Sequence, residues 1–153
     1  MSMISQTTGY ALRALAFLSQ SEDGERVLTS TIAEATEIPE AFLGKIMRDL
    51  ARAGLVESVR GRGGGYFLLP ANRSRPIADV MQLFERMDRF ESCIMGESHC
   101  PGIRACGMHN WWNRISAEFL ECIKKTTIAD MVHDGDWVGE MPSPDARRLP
   151  DNL

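Results

Sequence analysis

Three of the four cysteines, Cys93, Cys100 and Cys106, cluster in one stretch, and His109 follows shortly after. Thiolates bind zinc or iron–sulfur clusters, and imidazole is compatible with both. The gaps are six, five and two residues. They contain no tight Cys-x-x-Cys pair of zinc-ribbon type and no ferredoxin run, so spacing alone does not choose the metal. A structural zinc completed by His109, or a metal-free thiol switch, would use the same side chains. Cys122 lies far along the chain from this group. On a continuous helix its separation from Cys106 is about 24 Å, so a packing role is expected for it. His99, His109 and His133 form no recognisable nucleophile–base arrangement, and an enzyme is not expected.

A second constellation is basic. The 153 residues carry a net charge of −4, with 44% hydrophobic and 25% charged residues. That balance excludes a largely disordered, collagen-like or multipass membrane chain. The average conceals a basic segment: residues 39–75 hold seven Lys or Arg against three acidic side chains, a local charge of +4. A polyanion can dock there. The apolar stretch from Ala11 to Leu18 is short and carries Arg13. Neither a signal core nor a membrane span is read from it, and a cytoplasmic protein is expected.

The elements that would position these groups follow from periodicity. Tyr10, Ala14, Phe17 and Leu18 predict a first helix from about Ser5 to Ser19. A short second helix follows Thr29-Ser30, where Thr31 and Glu34 have capping-box spacing and Ile32, Ala33 and Ala35 form the apolar side. Pro39 suits the first turn of a third helix, which Gly54 stops. Phe42, Leu43, Ile46, Met47 and Leu50 form its apolar stripe, leaving Lys45, Arg48 and Arg52 outside. Two β-rich runs flank Gly61-Arg62-Gly63-Gly64-Gly65 and predict a hairpin. A phosphate loop is excluded, because Tyr-Phe-Leu-Leu follows the glycines instead of Lys-Ser/Thr and a helix. Pro76 opens a further helix with Ile77, Val80, Met81, Phe84 and Met87 on one face. From about Gly107 to Thr126, Met108, Trp112, Ile115, Phe119, Cys122 and Thr126 alternate four and three apart, the spacing of a helix-pairing seam.

Helix, short helix, proline-marked turn, amphipathic helix and basic hairpin are the parts of a winged helix-turn-helix. The fold class is therefore mainly α with a small β-hairpin wing (α+β), plus a long dimerisation helix. The third helix is narrow enough for a DNA major groove, and the hairpin tip with Arg60 and Arg62 can reach phosphates or the minor groove. The expected organisation is a DNA-binding domain over 1–75, a connecting helix over 76–90, a cysteine loop over 91–107, a dimerisation region over 107–132 and an acidic, proline-bearing tail over 133–153.

Residues 3–132 resemble the Rrf-type family of bacterial winged-helix regulators. The resemblance is carried by Tyr10-Ala11-Leu12-Arg13, by Ala53-Gly54-Leu55-Val56, by the run Val59-Arg60-Gly61-Arg62-Gly63-Gly64-Gly65-Tyr66, and by the three-cysteine loop before a long helix. It implies a homodimeric transcription regulator on a near-palindromic double-stranded operator, contacting DNA through Thr29, Ser30, Glu40, Lys45, Arg48, Arg60, Arg62, Gly63, Gly64 and Tyr66. It implies pairing through Trp112, Ile115, Phe119 and Cys122, and an iron–sulfur cluster that senses iron, redox state or nitric oxide on Cys93, Cys100 and Cys106. The acidic ligand that some members take from the partner's first helix falls at Gly9, which has no side chain. Others use the position of His109, which favours a 2Fe–2S cluster on three cysteines and His109, with 4Fe–4S second and zinc as the alternative. A rival of another class is an electron carrier that uses its winged domain to bind proteins.

Overall fold

The computed structural model describes residues 3–96 and 106–132. Cys100, His99, His133 and the tail over 133–153 lie outside the described residues.

Helix α1 (Gln6–Ser19) starts at Ser5, whose hydroxyl accepts the Thr8 amide at 3.2 Å. Its buried stripe is Ala11, Ala14, Leu15 and Leu18. Tyr10 and Phe17, expected on the apolar face, are only partly buried at its margin. The small alanines let neighbouring helices approach where larger rings would hold them apart. Helix α2 (Thr29–Thr36) has Leu28 as its cap residue and no side-chain cap bond. The expected capping box at Thr31 is absent because Thr31 already lies inside the helix. Glu37, at φ 53°, ends α2 in the left-handed conformation.

Helix α3 (Glu40–Arg52) begins directly after Pro39, which takes the cap position. Leu43, Ile46, Met47 and Leu50 are buried as expected, but Phe42 is 66% exposed. Phe42 lies on the shoulder of the stripe, in the first turn of the helix. Gly54, at φ 70°, closes the helix, with the Leu55 amide donating back to the Leu50 carbonyl at 3.0 Å.

Strands β1 (Glu57–Val59) and β2 (Gly65–Phe67) pair antiparallel, with Ser58 opposite Tyr66. Val27 extends this sheet by a bridge to Tyr66, its amide donating at 2.9 Å and its carbonyl accepting at 2.8 Å. A 3-10 turn over Pro70–Ser74 places Asn72, whose side-chain amide donates to the Gly54 and Leu55 carbonyls, both at 2.9 Å. The wing is thus fastened at its base to the end of α3.

Helix α4 (Ile77–Phe84) follows Pro76, and Met87 lies beyond it in a 3-10 turn over Met87–Phe90. Helix α5 (His109–Lys125) returns the chain to the start of α4, where the Ile77 amide donates to the Thr126 carbonyl at 2.9 Å. Ile128 is fully buried and belongs to the same core cluster as Leu15 and Leu50. A second cluster, with Ala78, Met81, Phe90 and Ile123, joins α4 to α5. Among the described residues no helix is long and apolar enough to cross a membrane.

Candidate functional site

Two regions gather the residues singled out by chemistry. The first is the outer face of α3 and the wing. Of the basic side chains in 39–75, Arg73 is tied to Asp23 at 2.9 Å and to the Ser21 carbonyl, and Arg75 pairs with Asp79 at 2.9 Å. Arg52 reaches Asp49 at 3.3 Å. Lys45, Arg48, Arg60 and Arg62 are exposed and form no ion pair among the described residues. The local excess of positive charge therefore resolves into four cations left to solvent on α3 and the wing.

Arg48 and Arg60 line a concavity of about 350 Å³ between α3, the start of α2 and the wing. Thr29, Gly64, Gly65 and Tyr66 share its wall. A neighbouring hollow of about 290 Å³ is lined by Arg48, Arg52, Ser58, Arg60 and Tyr66. Ser30 and Glu40, in the first turns of α2 and α3, are exposed and line neither hollow. Such a surface, cationic and framed by hydroxyl and backbone donors, suits phosphate contacts.

The glycines of the wing are required by geometry. A Cβ on Gly64 would lie 2.2 Å from the Val59 carbonyl oxygen and 2.9 Å from that of Gly61. Gly63 sits at φ 74°, and its carbonyl accepts from Arg26 at 3.4 Å. Arg26 and Val27 were not legible as wing supports. One β-branched residue is too short to signal a strand, and its partner lies far along the chain.

The second region is the start of α5. Phe90 and Ser92 run along this helix against its direction. The Phe90 ring meets Phe119 at 5.0 Å between centroids, the Phe90 carbonyl accepts from Ser116, and the Ser92 carbonyl accepts from the Trp112 indole at 2.8 Å. Each step moves one turn closer to the helix start, and the next residue is Cys93. At that end stand Cys106, whose carbonyl accepts the His109 amide at 3.0 Å, and His109, whose ring contacts the Asn113 amide at 3.1 Å. Cys93 is half-buried and Cys106 exposed. Two thiols and an imidazole are donors of the right chemistry for an iron–sulfur cluster or zinc. Among the described residues no three His, Cys, Asp or Glu side chains converge as a metal site; Cys100 is outside them.

Trp112 and Phe119, expected on a pairing seam, are engaged by their own chain. Cys122, expected to be packed, is exposed, as are Met108 and Trp111, while Ile115 is half-buried. The described chain provides no element to cover that side of α5.

Glu85 ties the segment leading to Cys93 to α1. Its carboxylate accepts from the Ser5 amide, from the Thr8 hydroxyl at 2.7 Å and from Arg89 at 3.0 Å. Burial pushes its pKa up, but the bonds from Ser5 and Thr8 and the charge of Arg89 outweigh burial and hold it below the ordinary value. Arg89 also donates to the Met3 carbonyl at 2.9 Å, so the segment leading to Cys93 is anchored to the N-terminal end of α1.

Comparison with known proteins agrees with this architecture. Residues 4–134 match the family model Rrf2, described as an iron-dependent transcriptional regulator. The chain is 30% identical over 137 residues to the HTH-type transcriptional regulator NsrR of Bacillus licheniformis, covering 89% of this chain and 96% of that one. Its fold is similar to CymR, the global cysteine regulator of B. subtilis, with a TM-score of 0.67 and 25% identity over 86% of this chain and 96% of the other. T. potens IscR superposes with a TM-score of 0.67 at 24% identity, over 92% and 93% of the two chains. With its winged helix-turn-helix and a family match spanning nearly all of α1 to α5, the chain belongs to the Rrf2 family of transcriptional regulators.

Proposed function

We propose that this regulator is a homodimeric repressor whose DNA affinity is set by an iron–sulfur cluster on Cys93, Cys100, Cys106 and His109. The DNA half of the reading is carried by one observation: Lys45, Arg48, Arg60 and Arg62 are exposed across α3 and the wing and form no ion pair among the described residues. Thr29 and Tyr66 share the concavity with Arg48 and Arg60; Ser30 and Glu40 would add contacts from the starts of α2 and α3, and Gly63 and Gly64 would let the wing backbone approach a duplex. Each subunit would offer α3 to one half of a near-palindromic site.

The sensing half is supported by the stepwise attachment of Phe90 and Ser92 to α5, which leads the chain toward the start of that helix just before Cys93. When bound, the cluster, 2Fe–2S first and 4Fe–4S second, would supply a centre that responds to iron supply, oxidation or nitric oxide. The chain's own residues would hold it, keep its loop against α5, and pass its state to α1 through Arg89 and Glu85. Subunit pairing would use the uncovered side of α5. Since Trp112 and Phe119 face their own chain, the seam turns to Met108, Trp111, Ile115 and Cys122, which recur at heptad-like spacing.

Two measurements test the reading. Anaerobically purified protein should be coloured, and Cys100→Ala should lose the colour. A colourless protein with one zinc per chain would reduce the proposal to a zinc-holding regulator. DNA binding should fall steeply as salt rises. The Arg60→Ala/Arg62→Ala variant should bind more weakly, with a salt slope lower by about one unit for each phosphate it no longer touches. Salt-insensitive or absent binding would favour the electron-carrier reading instead.

A further inference from the structure

Phe42 is the one large side chain of α3 that neither the core nor the cationic face explains. It is 66% exposed and is not part of the buried stripe formed by Leu43, Ile46, Met47 and Leu50. Its neighbours along the helix, Glu40, Ala41 and Lys45, are polar or small, and all are exposed. A single exposed ring with charged neighbours along its helix is a poor protein-docking patch, because a helix laid in a protein groove presents several apolar anchors over successive turns. It fits a duplex better. Cations meet phosphates there, and the apolar group that base pairs display in the major groove is the C5-methyl of thymine. The position agrees as well, since the first turns of a recognition helix reach base edges while later turns lie along the backbone.

We infer that Phe42 reads a thymine methyl group in each half-site of the operator. The inference rests on the proposal that α3 is the recognition helix, and it adds the base that the helix selects. The ring carries no hydrogen-bonding atom, so it distinguishes thymine from cytosine by the methyl group alone. It ignores whether that methyl stands on thymine or on 5-methylcytosine.

Sites selected by the full-length protein from a randomised duplex pool should contain one thymine per half-site that depends on Phe42. Replacing that thymine by deoxyuridine should weaken wild-type binding about fourfold, the effect of one apolar carbon group removed from contact. Phe42→Ala should bind the thymine and deoxyuridine duplexes equally and should select a degenerate base at that position. Its melting temperature should stay close to that of the wild type, because Phe42 is mostly exposed in the folded chain. If Phe42→Ala selects the same thymine and still prefers it over deoxyuridine, the inference is overturned while DNA binding stands. If the wild type enriches no duplex at all, the recognition-helix reading fails first and the inference with it.

Discussion

Glu85→Gln removes one charge from the junction of α1, α4 and the segment leading to Cys93, and its cost can be worked from the contacts. The Glu85 side chain is 2% exposed. It accepts bonds from the Ser5 amide and from the Thr8 hydroxyl at 2.7 Å. A hydrogen bond to a charged group contributes about 1.5–3 kcal/mol and a neutral one about 0.5–1.5 kcal/mol. Glutamine keeps the shape but not the charge, so each of the two bonds weakens by about 1 kcal/mol. Arg89 is 47% exposed, and solvent limits its ion pair to under about 1 kcal/mol. The expected loss is about 2–3 kcal/mol, or about 5–10 °C in melting temperature for a chain of this length. The sign of the pH dependence follows from the lowered carboxyl. Its contribution is complete above the ordinary value of 4.5 and disappears as pH falls through the lower folded value. Thermal melts of wild type and variant should therefore differ most near neutrality and converge on acidification below about pH 4.5. A gap under about 1 kcal/mol at neutral pH, or one that widens in acid, would refute the argument.

Other substitutions separate the wing, the recognition helix and the cysteine segment. Gly64→Ala forces a methyl group against the Val59 carbonyl, so the wing must distort; DNA affinity in a mobility-shift titration should fall about tenfold, with a loss of about 1–3 kcal/mol in stability. Gly44→Ala meets nothing within 4 Å inside α3 and should stabilise the fold by about 0.5–1 kcal/mol in urea unfolding. Trp112→Phe keeps a ring but deletes the 2.8 Å bond to the Ser92 carbonyl. It should cost about 1 kcal/mol, and amide exchange around Ser92 and Cys93 should quicken about fivefold with little change elsewhere.

The parts of the fold that depend on local chemistry were legible in the chain. Leu43, Ile46, Met47 and Leu50 mark the buried side of α3 by period alone, and Gly54 marks its end because a left-handed residue is needed there. The glycine-rich turn announces a hairpin, since positive φ at Gly61 and Gly63 is accessible to glycine at little cost. The basic excess over 39–75 and the grouping of three cysteines were visible as composition and spacing.

Tertiary structure decided which member of each pattern was used. Periodicity could not tell that Phe42 would emerge from the stripe, because burial depends on a neighbour being present and no neighbour is encoded locally. The heptad on α5 predicted a seam through Trp112 and Phe119, but the chain's own Phe90 and Ser92 occupy that side. Charge counting placed seven cations together, whereas Asp23 and Asp79, brought in by folding, take up Arg73 and Arg75. Val27, Asn72 and Glu85 carried no signal at all. Each acts on a partner distant in sequence, and only closure of the chain brings donor and acceptor within hydrogen-bond reach. Residue types and spacing thus determined what chemistry this protein can offer, and the long-range contacts determined which side chains remain free to offer it.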